Sequence, residues 1–147
     1  MRASPISWRS DAPEPIARLL DNPVTLLAAR VCLALPFLVG GIVKLFTWDA
    51  GVAEMAEQGL HPAWAFNLAT LLTEIVGSVL LIANRWTWLG AGALGVFTVL
   101  ATLLGHRFWN FTGAERQMQL NAFLEHAAIA AGFILVVVVG LRANARR

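Results

Sequence analysis

Cysteine occurs once in the 147 residues, as Cys32 inside a long apolar run. A single thiol rules out an intrachain disulfide and a CxxC redox pair, and without CxxCH there is no covalent haem attachment. Charge is scarce too: 14% of residues are Asp, Glu, Lys or Arg, against 58% hydrophobic. No basic stripe with interleaved aromatics exists, which leaves no nucleic-acid surface. The net charge of +2 comes from the flanks of the apolar runs, so the basic pI reflects topology. There is no Ser/His/Asp arrangement, no phosphate-binding glycine loop and no full set of metal ligands.

What the chain does have is apolar length. A protein this short leaves much of its surface exposed and cannot hide so many apolar side chains in a soluble core. Four runs, 24–46, 63–83, 88–105 and 122–141, each approach the roughly 20 residues that a membrane-crossing helix needs. The expected fold class is all-α: an integral membrane four-helix bundle over residues 16–147, after a disordered tail over residues 1–15 rich in Pro, Ser and charge. The first run is longer than the apolar core of a cleavable signal and no small-residue cleavage site follows it, so it is expected to remain as a span.

Positive charges set the expected orientation. Arg2, Arg9, Arg18, Arg85, Arg142, Arg146 and Arg147 fall on one side of the four runs. Only Arg107 and Arg116, with Lys44 at a helix edge, fall on the other. Both termini are therefore expected in the cytoplasm. Trp48, Trp64 and Trp109 then lie at the outer interface and Trp86 and Trp88 at the inner one, as an aromatic belt requires.

Polar residues repeat at helical spacing within each run. Arg30, Ala34, Phe37, Gly41 and Lys44 share a stripe, as do Asn67, Thr70, Glu74, Gly77 and Ser78. Ala91, Gly95, Thr98, Thr102 and Gly105 form a third, and Asn121, Glu125, Ala128 and Gly132 a fourth; such small-residue faces suit close helix packing in lipid. Measured from the inner helix ends, Glu74 and Arg30 fall within reach of an intramembrane ion pair. Lys44, His106, Glu125 and His126 fall at similar depth near the outer surface and form a candidate polar cluster, with no metal expected there. Each group has a bland reading, as register-fixing pairs or interfacial snorkelling, and a sharper one, as a ligand pocket or proton path. The loop 49–62 has the pattern of a short amphipathic helix, with Val52, Met55, Ala56 and Leu60 on one side and Glu54, Glu57 and Gln58 away from it. His61, beside a proline, reads as a surface residue.

Arg30, the "GIVK" of Gly41 to Lys44, the "EIVG" of Glu74 to Gly77 and the "HRFW" of His106 to Trp109 together resemble the DoxX-like bacterial membrane proteins, over about residues 24–141. The resemblance implies a multi-pass protein of the bacterial inner (plasma) membrane. Relatives include the membrane subunit of a thiosulfate:quinone oxidoreductase and a component of a mycobacterial oxidative-stress complex. Where the family opens its fourth helix with a Lys-Asn pair, this chain carries Glu125-His126, which reverses a charge in the outer cluster.

The reading that follows is a membrane subunit of a quinone-linked or oxidative-stress redox system, with a quinone headgroup near His106, Lys44 and Glu125 and redox proteins as partners beside the bilayer. The alternative is a non-enzymatic scaffold that anchors partner proteins. A small-solute transporter is disfavoured by only four spans without an inverted repeat, unless the chain forms an oligomer. Haem between His106 and His126 is disfavoured because His126 lies about 100° round the helix from Glu125. Whether the chain is itself an enzyme is left open.

Overall fold

The computed structural model describes residues 12–145, so the tail expected over residues 1–15 lies outside the description up to residue 11. Among the described residues there are only helices and one 3-10 turn: α1 (Glu14–Leu20), α2 (Pro23–Phe46), α3 (Trp48–Glu57), α4 (Ala63–Ile82), α5 (Thr87–Gly105), the 3-10 turn Phe108–Asn110, and α6 (Gly113–Ala145). The first helix starts inside the segment expected to be disordered. Its early proline suits a first turn, and Arg18 Nη2 donates to Glu14 Oε2 at 2.9 Å.

Local chemistry explains the boundaries. At the start of α2, Asn22 Oδ1 accepts from Val24 N at 2.8 Å, and Pro23 occupies the opening turn, where its absent N–H costs nothing. Four segments are long and apolar enough to cross a membrane: α2, α4, α5 with its following turn, and α6. Their large side chains point outward, for example Phe46 at 82% exposure, which is where lipid replaces water as solvent.

The fourth helix differs most from expectation. It begins at Gly113, nine residues before the apolar run, and spans 33 residues, about 50 Å against a hydrocarbon core of about 30 Å. The polar lead "AERQMQLN" contains no helix breaker, and Gln117 Nε2 donates to Asn121 Oδ1 one turn on at 2.9 Å. The helix therefore continues out of the apolar zone.

The spans pack in chain order, α2 on α4, α4 on α5 and α5 on α6, while α2 and α6 meet more sparsely. Phe37 closes the centre, with ring centroids 5.4 Å from Phe133 and 6.3 Å from Phe97. Around it lie Ala34, Leu81, Ala91 and Leu94. The α4–α5 seam depends on two glycines: a Cβ on Gly90 would sit 2.8 Å from the Gly77 carbonyl oxygen, and one on Gly77 would sit 2.8 Å from Leu94 Cγ. Backbone therefore meets backbone, the close approach that small residues give membrane helices. Gly90→Ala should lower the stability of the detergent-solubilised protein by about 1–3 kcal/mol, the usual cost of overpacking. Gly92→Ala, with nothing within 4 Å of its Cβ, should leave the melting temperature unchanged in the same measurement.

Candidate functional site

The contact between α2 and α4 positions the first group of functional side chains. A Cβ on Gly41 would press on Ile75 and on Glu74 Cβ, and Ser78 Oγ donates to the Ala34 carbonyl at 3.3 Å. These contacts set Glu74 opposite Gly40 and Gly41. The missing side chain of Gly40 leaves room for the carboxylate, since a Cβ there would lie 3.3 Å from Glu74 Oε1.

Lys44 lies one helical turn beyond that point, and its Nζ donates to Glu74 Oε1 at 3.4 Å. The ion pair across the spans is thus Lys44 with Glu74, and the pair expected between Arg30 and Glu74 is corrected. Antiparallel register gives the reason: Arg30 is nearly three turns, about 15 Å, from the level of Glu74. The expectation aligned the helices by their inner ends, whereas the contacts of Gly40 and Gly41 with Glu74 and Ile75 set the two helices in a shifted register. Arg30 Nε is buried and bonds nothing among the described residues, as is Glu74 Oε2. Glu74 is 5% exposed, so its second oxygen faces protein with no donor.

The candidate cluster of Lys44, His106, Glu125 and His126 does not assemble as one group. Lys44 turns to Glu74, and Glu125 is exposed. His106 and His126 do meet, with ring centroids 4.8 Å apart and planes at 63°. Their partners cross between helices: His106 Nδ1 is 2.8 Å from Gln119 Oε1 on α6, and His126 Nδ1 is 3.0 Å from Thr102 Oγ1 on α5. The inward stripe of α6 therefore runs through His126, Ile129 and Phe133, one residue round from the expected line through Glu125. The helix meets α5 mainly and α2 only sparsely, which rotates its contact face. His61 is exposed, as expected.

Beside the ion pair, a groove of about 850 Å³ runs along the α4–α5 face. Phe66, Ala69, Val96 and Leu100 form its apolar walls, Trp88 marks one end, and Lys44, Glu54 and Gln58 gather at the other. The α3 helix covers that polar end by burying Gly51 and Met55, with Asn67 Nδ2 donating to the Trp48 carbonyl at 3.4 Å. Glu54 and Gln58, expected away from the apolar side of this helix, edge the groove.

Gln119, and the hydrogen-bonding role of Thr102 within its small-residue stripe, are what sequence reasoning missed. A signal existed for both: Thr98 and Thr102 stand one turn apart, and Gln119 and His126 are seven residues apart on one helix face. The ion pair carries its own test. Lys44→Met should destabilise the protein by about 3 kcal/mol, because it leaves a buried carboxylate uncompensated, whereas Lys44→Met with Glu74→Met should regain most of that loss. Unfolding of the purified single and double variants in detergent measures both.

Comparison with known proteins agrees with this architecture. A family model described as DoxX matches residues 25–107, which covers α2 to α5 but not α6. Inner membrane protein YphA of Escherichia coli (strain K12) is 26% identical over 119 residues, 81% of this chain and 85% of that protein. No solved structure gives a significant match. With four helices able to span a bilayer, and a family match over more than half its length, the chain belongs to the DoxX family and is a multi-pass protein of the inner membrane.

Proposed function

We propose that this protein is the membrane subunit of a quinone-linked redox system and holds the quinone in the α4–α5 groove. The observation that carries the reading is a lipid-facing apolar groove whose polar end presents Lys44. An isoprenoid tail needs a long apolar wall open to the bilayer; a headgroup carbonyl needs a hydrogen-bond donor at one end of it. Lys44 Nζ has donors beyond the one shared with Glu74, and Glu74 behind it keeps the ammonium in place. Gln58 offers a second polar contact. This moves the headgroup from the His106 side of α5 to the Lys44 side, because α5 separates the two.

Both termini lie in the cytoplasm in this reading, on the positive-charge asymmetry, which puts Lys44 and the groove's polar end toward the outer face. A carboxy-terminal fluorescent-protein fusion should then be bright and a phosphatase fusion inactive. The redox partners would meet the collar formed by the protruding start of α6 and the 3-10 turn, where Phe108, Trp109 and Phe123 stack edge to face and Arg116 lies 5.9 Å from the Phe108 ring centre.

The scaffold reading shares that collar but has no use for the groove, so the groove decides between them. Mass spectrometry of an organic extract of the protein, purified in mild detergent, should find quinone at near-stoichiometric amounts. Ala93→Phe, which fills the groove wall, should remove it, and Lys44→Met should reduce it several-fold. Lipid alone in the unsubstituted protein would overturn the quinone assignment in favour of a scaffold.

A further inference from the structure

The histidine pair at the α5–α6 seam is separate from the groove, since Thr98 and Thr102 of α5 are buried on the seam while Ala101, Leu104 and Gly105 line the groove. Its hydrogen bonds tie both rings to the facing helix through Nδ1. Thr98 Oγ1 donates to the Leu94 carbonyl at 2.7 Å, and Thr102 Oγ1 donates to the Thr98 carbonyl at 2.5 Å. When Thr102 Oγ1 donates to the Thr98 carbonyl, its oxygen accepts from His126, in the tautomer that carries the proton on Nδ1. Gln119 Oε1 is likewise an acceptor only, so His106 also carries its proton on Nδ1. Both Nε2 atoms are left as lone-pair donors with no hydrogen bond among the described residues.

We infer that His106 and His126 form a binding site for a divalent transition-metal ion of the Cu2+ or Zn2+ class, coordinated through both Nε2 atoms. Imidazole nitrogen suits these ions. A ligating histidine characteristically gives its other N–H to a fixed acceptor, which holds the ring in place, and both rings here have one, each supplied by the opposite helix. With metal–nitrogen bonds of about 2.0–2.1 Å, two imidazoles on one ion at close to a right angle have centroids about 4.5–5 Å apart; these stand 4.8 Å apart in an edge-to-face contact with planes at 63°, a spacing that already suits one ion once the rings turn both Nε2 atoms toward it. Two axial imidazoles on opposite faces of a haem would need about 6 Å, so a bare ion fits better. No third His, Cys, Asp or Glu completes a set among the described residues, so an ion held here would take its remaining ligands from water or a small molecule, the arrangement of an exchangeable site.

The chain contains three histidines, which makes the test compact. Untagged protein in detergent is titrated with Cu2+ and followed by electron paramagnetic resonance. One protein-bound Cu2+ per chain, with hyperfine structure from two nitrogens, is expected. His61→Ala should leave the spectrum and affinity unchanged. His106→Ala and His126→Ala should each weaken binding at least tenfold and remove one nitrogen. Thr102→Val and Gln119→Leu keep both ligands but lose a ring's acceptor, and should weaken binding by about 10-fold or more while retaining two nitrogens. Melting curves confirm that each variant is folded. No bound Cu2+ in the unsubstituted protein, or binding that survives the double His106→Ala, His126→Ala change in folded protein, would overturn the site.

Discussion

The contact between Lys44 and Glu74 constrains everything around it. A carboxylate within an apolar span costs about 2.5–3.5 kcal/mol to insert, and this one is turned wholly inward. Such a group needs a cation at its own depth and a neighbour small enough to let it fit. Lys44 meets the first need and Gly40 the second. Together they hold α2 and α4 in one register, which Gly41 against Ile75 and Ser78 on the Ala34 carbonyl then repeat toward the other end. Because α2 ends two residues past Lys44 and α3 begins at Trp48, the chain turns directly over the ion pair. The polar mouth of the groove is a consequence of that turn.

The bundle separates its polar chemistry by helix pair. The α2–α4 pair holds the ions, and the α5–α6 pair holds the histidines with their threonine and glutamine acceptors. Between them the α4–α5 seam, which has no side-chain hydrogen bond or ion pair among the described residues, depends on Gly77, Gly90 and Leu94. Beside this tight backbone contact runs the groove that Val96 and Leu100 line.

How much of this was legible in the residues depends on the kind of feature. Apolar length marked the four spans, because a bilayer demands a fixed thickness of apolar chain whatever the tertiary arrangement. The motifs of Arg30, Gly41 to Lys44, Glu74 to Gly77 and His106 to Trp109 pointed to the family that the comparison then showed. Glu74 was recognisable as inward-facing from its stripe. Its partner was not, because depth measured from helix ends ignores how far one helix slides along its neighbour, and that slide places Lys44 rather than Arg30 at the level of Glu74.

Sequence alone determined which segments are apolar enough to lie in lipid, since that follows from each residue's own solvation. Tertiary structure alone decided the pairings: Lys44 with Glu74, His126 with Thr102, His106 with Gln119, and Glu125 left outside. Those depend on the register and rotation of one helix against another, and these are set by a few glycine contacts and aromatic packings far apart in the chain. His126 faces inward and Glu125 outward because α6 packs on α5 through Phe133, and no property of the dipeptide itself could have chosen between them.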